Sequence, residues 1–504
     1  MESQESWKFH ACVGYTVIIL CIGFPVWFKN TTVDRAPLPY EEIQSFEDPK
    51  LTLSVLLISS DAHEDHQIGP KLQSAFQISR LLNINFRSRV RSNQENDAYI
   101  SFKDISQLDQ RLAELHSDVS SLILFEAPPK LFKEGQILAL GHKKTMLFKS
   151  GADPTNLVRS VKDVIGIDLI DNIANAIVNP SEDNNPQWTL RRPTASPSFD
   201  VLFSLMIPQP DRFKPNWDIE HGIKTYFQPM LDSISELYDV SIKSQILYLT
   251  SLNLKPIRHS DGYFTITQND LGLAINTGSQ FSSHVSSRQT LNFLTFIPSL
   301  KNSPLYIVDD QSKQSSSNAF LVPRWGGVKI LNTNQTALDM NHVMSTFVTH
   351  FRNLIGLDYY DTRTTFKIKN DIITPLEKDF LIRLGCVENL AVSKMTMQSL
   401  SHLLTKISNI VINEEVSQQV YSAVKDYGDA LNNAKKGEMM RAFEQSKSSV
   451  ISSEKAFFDH RLLALLYFPE DQKYAIYIPL FLPIFISYFG SIRVIYNYIS
   501  KTIT

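Results

Sequence analysis

The sequence is poor in cysteine, has almost no net charge, and lacks the common catalytic signatures. It has 3 cysteines in 504 residues, and two of them, Cys12 and Cys21, lie in an apolar stretch near the N-terminus. This excludes a disulfide framework and leaves Cys386 without an intramolecular partner in the long middle region. A net charge of -3 gives no basic footprint for nucleic acid. Gly-x-Ser-x-Gly, Walker, Gly-x-Gly-x-x-Gly and His-Glu-x-x-His motifs are absent, which weakens an enzymatic interpretation without excluding it.

What the sequence does contain is an apolar run near its C-terminus. Residues 474–492 are 19 residues without a charge, enough at about 1.5 Å per residue to cross a hydrocarbon core of ~30 Å. Glu470 and Asp471 precede the run, and Arg493 and Lys501 follow it. Because lysine and arginine mark the cytoplasmic flank, the pattern predicts a membrane span with a cytosolic C-terminus. A buried core helix is the alternative interpretation.

Two prolines, Pro479 and Pro483, lie inside this predicted span. Each lacks an N–H and releases the carbonyl four residues earlier into a medium without water. The pair therefore indicates an interaction with partner helices, and a tolerated kink near the interface is the alternative.

A second apolar stretch covers residues 11–28, between Lys8 and His10 on one side and Lys29 on the other. No Ala-x-Ala-like cleavage site follows it, so an uncleaved signal anchor is favoured over a signal peptide. Two spans place both termini on the same side, which is the cytosol by the C-terminal flank. Lys8 and His10 then lie beside lipid headgroups.

These spans predict the domain organisation. We expect a cytosolic N-terminus (1–10), a first transmembrane helix (11–28), a lumenal α/β domain (29–374) with a possible seam at 179–197, a lumenal helical segment (375–473), a second transmembrane helix (474–492) and a cytosolic tail (493–504). Of two Asn-x-Ser/Thr sequons, Asn30 lies too close to the membrane, and Asn334 is the candidate glycosylation site.

The α/β prediction rests on alternating apolar patterns. Strand-like and helix-like segments follow one another through the first half of the middle region. The strand-like ones are 51–59, 122–125, 145–148 and 199–207, and the helix-like ones are 72–82, 104–115 and 156–178. After Thr374 the pattern changes to three apolar stripes at helical spacing, typical of a packed helical segment.

Two places carry residue types suited to catalysis. Cys386 is the candidate nucleophile, although its apolar surroundings favour a buried, inert thiol. The segment Asp61–His66 carries metal-ligand residue types in six positions, but it follows a strand, where solvated charge in a loop is the simpler interpretation. A lumenal hydrolase that uses either group is therefore the alternative function.

Residues 323–327, with the sequence PRWGG, combine a cation, an indole and a glycine turn. Arginine and tryptophan are enriched in interfaces, so Arg324 and Trp325 are candidate interaction residues. The alternative is an Arg–Trp stack that holds the turn in its own domain.

Several unusual stretches occur in a fixed order along the chain. They are LPY (38–40), WDIE (217–220), SQILY (244–248), SPLYI (303–307), NAFLVPRWGG (318–327), TKISNIVI (405–412), AFFD (456–459) and LLYFPEDQKYAIYIPLFLP (465–483). Together they resemble the S-subunit family of the glycosylphosphatidylinositol (GPI) transamidase, PIG-S. Between residues 61 and 197 only the alternation of strands and helices matches.

The resemblance implies an endoplasmic reticulum membrane protein with two spans and a large lumenal domain. It implies a non-catalytic subunit, without a cofactor, that supports assembly of the transamidase and presents proproteins carrying a C-terminal GPI signal. A separate caspase-like subunit, PIG-K, would supply the catalytic Cys/His pair. PIG-T, PIG-U and the GPI attachment protein would be the other partners.

Overall fold

The structure is a computed structural model. It describes residues 2–31, 35–60, 62–77, 79–116, 121–141, 143–178, 198–213, 215–252, 255–267, 271, 288–309, 313–333, 338–357, 360–368, 372–407, 410–460, 462 and 470–503. Within the helices, the side chains of residues 2–5, 27, 30–31, 62–67, 178, 470–477, 480 and 501–503 are not among those described.

Helices occur along the whole chain. They are α1 (Glu2–Ile18), α2 (Phe24–Thr31), α3 (Tyr40–Gln44), α4 (Ala62–Phe76), α5 (Asn93–Ser101), α6 (Ile105–Leu115), α7 (Pro154–Ile165), α8 (Ile167–Val178), α9 (Ile219–Gly222), α10 (Gln228–Ile234), α11 (Met340–Leu354), α12 (Pro375–Lys406), α13 (Glu414–Lys436), α14 (Met439–Phe457) and α15 (Glu470–Ile503). π-Helical turns at Ile19–Gly23 and Ile223–Phe227 join α1 to α2 and α9 to α10.

The strands lie between Leu51 and Lys367. They are β1 (Leu51–Ser59), β2 (Leu82–Val90), β3 (Leu122–Ala127), β4 (Leu138–Leu140), β5 (Thr145–Lys149), β6 (Ser198–Ile207), β7 (Asp239–Tyr248), β8 (Ile257–Arg258), β9 (Phe264–Thr267), β10 (Gln289–Phe296), β11 (Leu305–Val308), β12 (Ala319–Val322), β13 (Gly326–Ile330) and β14 (Thr365–Lys367).

The chain divides into two compact units. The sheet unit comprises Asp48–Val392 and Asp429–Lys447, and the terminal unit comprises Met1–Glu47, Ser393–Gly428 and Ser448–Thr504. The predicted α/β class with a helical C-terminal part is confirmed, since mixed sheets precede the long helices.

The first sheet of the sheet unit has the order β14-β4-β5-β3-β1-β2. Its strands pair in parallel except β4 against β5. The central strand β3 is buried at every position, as expected when helices cover both faces of a parallel sheet.

Strand β2 corrects the prediction for residues 72–82. The helical spacing there indicated a helix to Leu82, but α4 ends at Phe76 and Leu82 begins a strand that pairs with β1. The strand lies at the edge of the sheet, and its outer positions are polar, so its apolar content is low for a strand.

The second sheet has the order β12-β13-β10-β6-β7 and is parallel except for the β12–β13 hairpin. One face carries an aromatic cluster, in which the ring of Phe203 lies 5.6 Å from Phe293 and 5.1 Å from Phe227. Phe347 of α11 completes this cluster, with its ring 5.3 Å from Phe293. Truncating one of these buried rings is expected to destabilise the fold by about 3–5 kcal/mol.

The opposite face of the second sheet packs against a small third sheet of order β11-β9-β8. Asn318, which has the left-handed φ of 48°, joins the two sheets through its side chain. Its Oδ1 accepts from the Ile307 amide at 2.9 Å, and its Nδ2 donates to the Leu305 and Ile330 carbonyls at 2.9 and 3.1 Å.

A buried carboxylate, Glu377 at the start of α12, connects elements of both sheets. It accepts hydrogen bonds from Arg352 of α11 at 2.7 Å and from Lys367 of β14 at 3.0 Å. The Thr374 amide and the Tyr360 hydroxyl donate to the same carboxylate at 2.8 and 3.2 Å. Burial favours the neutral acid, but the Arg352 and Lys367 charges outweigh it and hold the pKa of Glu377 below its usual value.

The terminal unit has its own apolar core, formed by residues of α12, α13, α14 and the N-terminal segment. Arg35 donates to the Leu404 carbonyl at 2.6 Å, and the ring of Phe46 stacks on Tyr427 at 4.1 Å. The N-terminal segment after the first apolar stretch is therefore anchored to helices more than 350 residues later.

The first predicted span coincides with a helix that is long and apolar enough to cross a membrane. Ser6–Val26 has a mean hydropathy of 1.9 over 21 residues and is not buried, and it alone among the described residues meets the length and hydropathy of a span. The second predicted span, 474–492, falls inside α15, a helix of 34 residues. The spanning role of α15 stays a prediction.

Gly326, the first residue of β13, allows a mutational test of the second sheet. Gly326 has φ +147°, and an added Cβ would lie 1.8 Å from the Asn292 carbonyl oxygen of the neighbouring strand. Gly326→Ala should therefore lower the free energy of unfolding by about 2–3 kcal/mol, through backbone strain and displacement of β10. The measurement is thermal unfolding of the full chain in detergent.

Gly428→Ala is the matched control, because a Cβ there meets nothing within 4 Å and Gly428 lies in helix α13. It should be neutral or stabilise the chain by up to about 1 kcal/mol. Equal melting temperatures for both variants would contradict the tight β10–β13 contact.

Candidate functional site

Cys386 lies in the interior of the sheet unit. Its side chain, on α12, is 0% exposed. Burial raises the pKa of its thiol to about 12, and a hydrogen bond with the Ser446 hydroxyl opposes this rise only in part. A nucleophilic cysteine needs a lowered pKa and access to substrate, so this environment is unsuited to catalysis.

Residues 62–66 of the Asp61–His66 segment lie in a helix rather than in the predicted loop. Helix α4 begins at Ala62, directly after β1, while Asp61 and the side chains of 62–66 are outside the described residues. Among the side chains that the structure describes, no three of the His, Cys, Asp and Glu type are close enough to hold a metal ion.

An ion pair fills the place beside this segment, at the carboxyl ends of β1 and β3. Arg91 donates to the Glu126 carboxylate at 2.6 Å, and both side chains are at most 2% exposed. The Ser60 amide donates to the same Glu126 oxygen at 2.6 Å, and the Arg91 guanidinium stacks over Tyr99 at 3.7 Å. Arg91 and Glu126 are 35 residues apart, so no local signal in the sequence indicates the pair.

The predicted turn lies at residues 323–325, between β12 and β13, while Gly326 and Gly327 of the glycine pair that indicated it begin strand β13. Trp325 is half-buried against the apolar cluster of the second sheet, and its carbonyl accepts from the Asn292 amide at 2.8 Å. Trp325 thus serves to hold the turn on its own sheet.

Arg324 differs from its neighbour. It is exposed, has φ 61°, and its guanidinium makes no hydrogen bond or ion pair with any residue in the described part of the chain. Of the two predicted interaction residues of this turn, Arg324 is the one available to a partner.

The remaining predicted residues belong to α1, to α15 or to the part of the chain that the structure does not describe. Lys8 and His10 are exposed on α1, and His10 Nδ1 donates to the Ser6 carbonyl at 2.7 Å. Pro479 and Pro483 are exposed on α15, where the helix continues past both. Asn334 lies outside the described residues. The interaction roles of these residues stay predictions.

Two cavities lie at the ends of sheet strands in the described part of the chain. One of about 600 Å³ lies at the amino ends of β1 and β2, where Lys50, Arg80 and Lys435 line it. The other, of about 230 Å³, lies at the carboxyl ends of β6, β10 and β13 and is lined by residues within 207–213, 297–303 and 331–333. Neither was predicted, because each is formed by segments far apart in the sequence.

Comparison with known proteins identifies the family. A sequence profile described as PIG-S, phosphatidylinositol-glycan biosynthesis class S protein, matches residues 14–502. The chain belongs to the PIG-S family. The predicted resemblance is thereby confirmed.

Named PIG-S relatives cover most of the chain. The Bos taurus GPI-anchor transamidase component PIGS is 31% identical across 94% of this chain and 92% of its own. The Homo sapiens protein of the same name is 29% identical across 94% and 92%. The Saccharomyces cerevisiae GPI transamidase component GPI17 is 27% identical across 93% and 88%.

Three of the stretches that indicated the PIG-S family lie in or beside the second and third sheets. SQILY forms the last part of β7, and SPLYI continues into β11. NAFLVPRWGG contains Asn318 and most of the β12–β13 hairpin. These positions explain the unusual sequence of the last motif, since Asn318 joins two sheets and Gly327 lies under a ring. A Cβ on Gly327 would be 2.1 Å from Nδ1 of His350.

His350 and Lys329 form a buried polar pair that sequence reasoning missed. Lys329 of β13 is 0% exposed, and its Nζ donates to the Thr346 hydroxyl at 2.8 Å. Burial lowers the pKa of Lys329 to about 8. Burial and the Lys329 charge lower the pKa of His350 to about 4.

The lowered pKa of His350 predicts acid sensitivity. Between the ordinary pKa of 6.5 and the folded value of about 4, the unfolded chain binds a proton at this ring and the folded chain does not. Stability should therefore fall as the pH decreases, by about 2 kcal/mol between pH 7 and pH 5. His350→Gln should remove that part of the pH dependence, as measured by thermal unfolding at several pH values.

His342→Gln is the control, because His342 is exposed on the same helix. It should leave the pH profile unchanged. A profile that is equally steep in His350→Gln and in the wild type would show that His350 is not the group responsible.

Proposed function

We propose that this chain is a non-catalytic subunit of the GPI transamidase complex, which supports assembly of the complex and presents proproteins for GPI attachment in the endoplasmic reticulum. The observation that carries the proposal is the family match over residues 14–502, with relatives named as transamidase components over nearly their whole length. A match of this extent covers both apolar ends and the sheet unit.

A two-span topology is part of the proposal. Large apolar side chains are exposed along both terminal helices, for example Ile22 at 60% on the first and Phe489 at 66% on α15. Contiguous exposed apolar surface of this kind suits lipid. The ring of Phe9 stacks on Tyr498 at 4.4 Å, an arrangement that supports termini on the same side of the membrane.

The proposed partners are the caspase-like subunit PIG-K, PIG-T, PIG-U and the GPI attachment protein. Pro479 and Pro483 support a role of α15 in packing against partner helices, since each proline leaves a helix carbonyl without its usual N–H. Arg324 supports a contact on the lumenal side, because it is exposed and carries a charge without a partner among the described residues.

The alternative, a lumenal hydrolase using Cys386 or the Asp61–His66 segment, has less support. The Cys386 thiol is buried, and its pKa of about 12 keeps it protonated at neutral pH.

The decisive experiment returns Cys386→Ala to cells that lack the native chain. We expect the variant to co-isolate a caspase-like subunit in mild detergent, as detected by mass spectrometry, and to restore a GPI-anchored reporter at the cell surface. Both results follow if the buried thiol only fills space in the core.

Glu377→Gln provides the comparison for loss through misfolding. It weakens the pairing of buried Arg352, and breaking a buried pair costs about 3–5 kcal/mol, so chain level, assembly and reporter should fall together. Loss of the reporter in Cys386→Ala with assembly intact would instead favour the hydrolase. Failure of the wild type to recover a caspase-like subunit would refute the proposed function.

Topology is tested in sealed microsomes. Protease should remove a tag placed after Thr504 and leave the remaining chain nearly intact, because only short termini face the cytosol. Endoglycosidase H should shift the wild type by one glycan, and Asn334→Gln should abolish that shift.

Asn30→Gln is the control for glycosylation and should keep the shift, since Asn30 directly follows the first apolar stretch. A protected C-terminal tag would contradict the second span. Digestion of the sheet unit in sealed microsomes would contradict a lumenal location for the body of the chain.

A further inference from the structure

The two large sheets differ at the place where open α/β sheets bind ligands. That place is the crevice outside the carboxyl ends of the strands, where the chain turns from building one side of the sheet to building the other. In the first sheet it lies between β1 and β3, where the Arg91–Glu126 pair fills it. In the second sheet it lies between β6 and β10, and there the cavity of about 230 Å³ remains open.

The wall of this crevice is largely apolar and carries four polar side chains, those of Gln209, Arg212, Ser303 and Thr333. Ile207, Phe213 and Ile297 contribute apolar surface, while Arg212 and Ser303 contribute a guanidinium and a hydroxyl. Neither the Arg212 guanidinium nor the Ser303 hydroxyl makes a side-chain hydrogen bond with another residue in the part of the chain that the structure describes. Both are therefore available to a ligand.

The rim of the crevice carries large apolar side chains in the open. Leu300, which lines the cavity, is 60% exposed. Leu249 is 77% exposed and follows β7, and its amide donates to the Ile207 carbonyl at 3.0 Å. Together the two leucines add exposed apolar surface beside the cavity.

Leu249 also has φ 57°, a conformation that is costly for a residue with a branched side chain. The strained backbone presents the leucine to solvent beside the crevice, where folding alone gives no reason for an apolar side chain. A partner that covers it would supply that reason.

We propose that this crevice binds a peptide segment in which an apolar side chain adjoins a carboxylate. The apolar side chain enters the cavity against Phe213 and Ile297, and the carboxylate pairs with Arg212 and Ser303. Arginine binds carboxylates through two parallel N–H donors, which gives this contact direction as well as strength.

The size and charge of the crevice favour a peptide over a cofactor. Its volume of about 230 Å³ falls below the ~300–1,000 Å³ of typical small-molecule pockets and suits one or two amino-acid side chains. Within the described segments that line it, 207–213, 297–303 and 331–333, Arg212 and Lys301 carry positive charge and Asp211 carries negative charge.

The peptide could come from a proprotein substrate or from another subunit, and this choice rests on the proposed function. The binding chemistry itself does not depend on that function.

Photo-crosslinking in intact membranes tests the proposal. A benzoylphenylalanine in place of Leu300 should, on irradiation, form an adduct with a peptide. Sequencing of the adduct by mass spectrometry should find an apolar residue directly next to Asp, Glu or a free C-terminus. Arg212→Gln should reduce the yield of that adduct at least fivefold by removing the partner of the carboxylate.

Arg87→Gln is the matched control, because Arg87 is an exposed arginine on β2 of the first sheet. It should leave the yield unchanged. Adducts only with lipid, adducts without the apolar–carboxylate pattern, or a yield insensitive to Arg212→Gln would each overturn the proposal.

Two further readouts identify the source and separate the hypotheses. After arrest of protein synthesis, an adduct with substrate should disappear, while an adduct with a resident subunit should persist. Co-isolation of the caspase-like subunit from the same membranes reports on the proposed function independently. Intact co-isolation without the adduct refutes the crevice alone, and the adduct without co-isolation refutes the subunit assignment alone.

Discussion

The buried carboxylate of Glu377 is the interaction on which the sheet unit depends. A carboxylate in the interior is stable only when charges and hydrogen bonds replace its water, and its partners here come from separate stretches of chain. Lys367 belongs to the first sheet, while Arg352 belongs to the helix that packs on the second. The chain builds the first sheet, leaves for the second and returns with β14, and Glu377 holds that return in place.

The sequence predicted the elements whose apolar pattern is strong and local. The strand Leu51–Ser59 and the helices after Thr374 are of this kind, because burial on fixed faces imposes a regular spacing. The edge strand β2 was missed because its outer positions need no apolar residues. The Glu377 network was missed because Arg352 and Glu377 are 25 residues apart in sequence and meet only in the folded chain.

The candidate sites also differ in whether a local sequence pattern or only the folded chain reveals them. The PRWGG turn was predictable, since two adjacent glycines require a tight backbone, and the close approach of Gly326 to Asn292 gives the physical reason. The crevice of the second sheet was not predictable, because its lining comes from three connections that follow three different strands. Cys386 was the candidate nucleophile because it is the single cysteine of the middle region. Its complete burial depends on tertiary packing.

An α/β sheet with a free carboxyl edge is the usual frame of an enzyme, yet fold alone does not assign a reaction. In the first sheet the ligand position contains the Arg91–Glu126 pair, so that edge stabilises the protein rather than receiving a ligand. In the second sheet the equivalent position is open, and its described lining combines apolar side chains with the polar side chains of Gln209, Arg212, Ser303 and Thr333. Such a lining offers apolar contacts and hydrogen-bonding groups to a ligand, as the proposed peptide-binding role of the crevice requires.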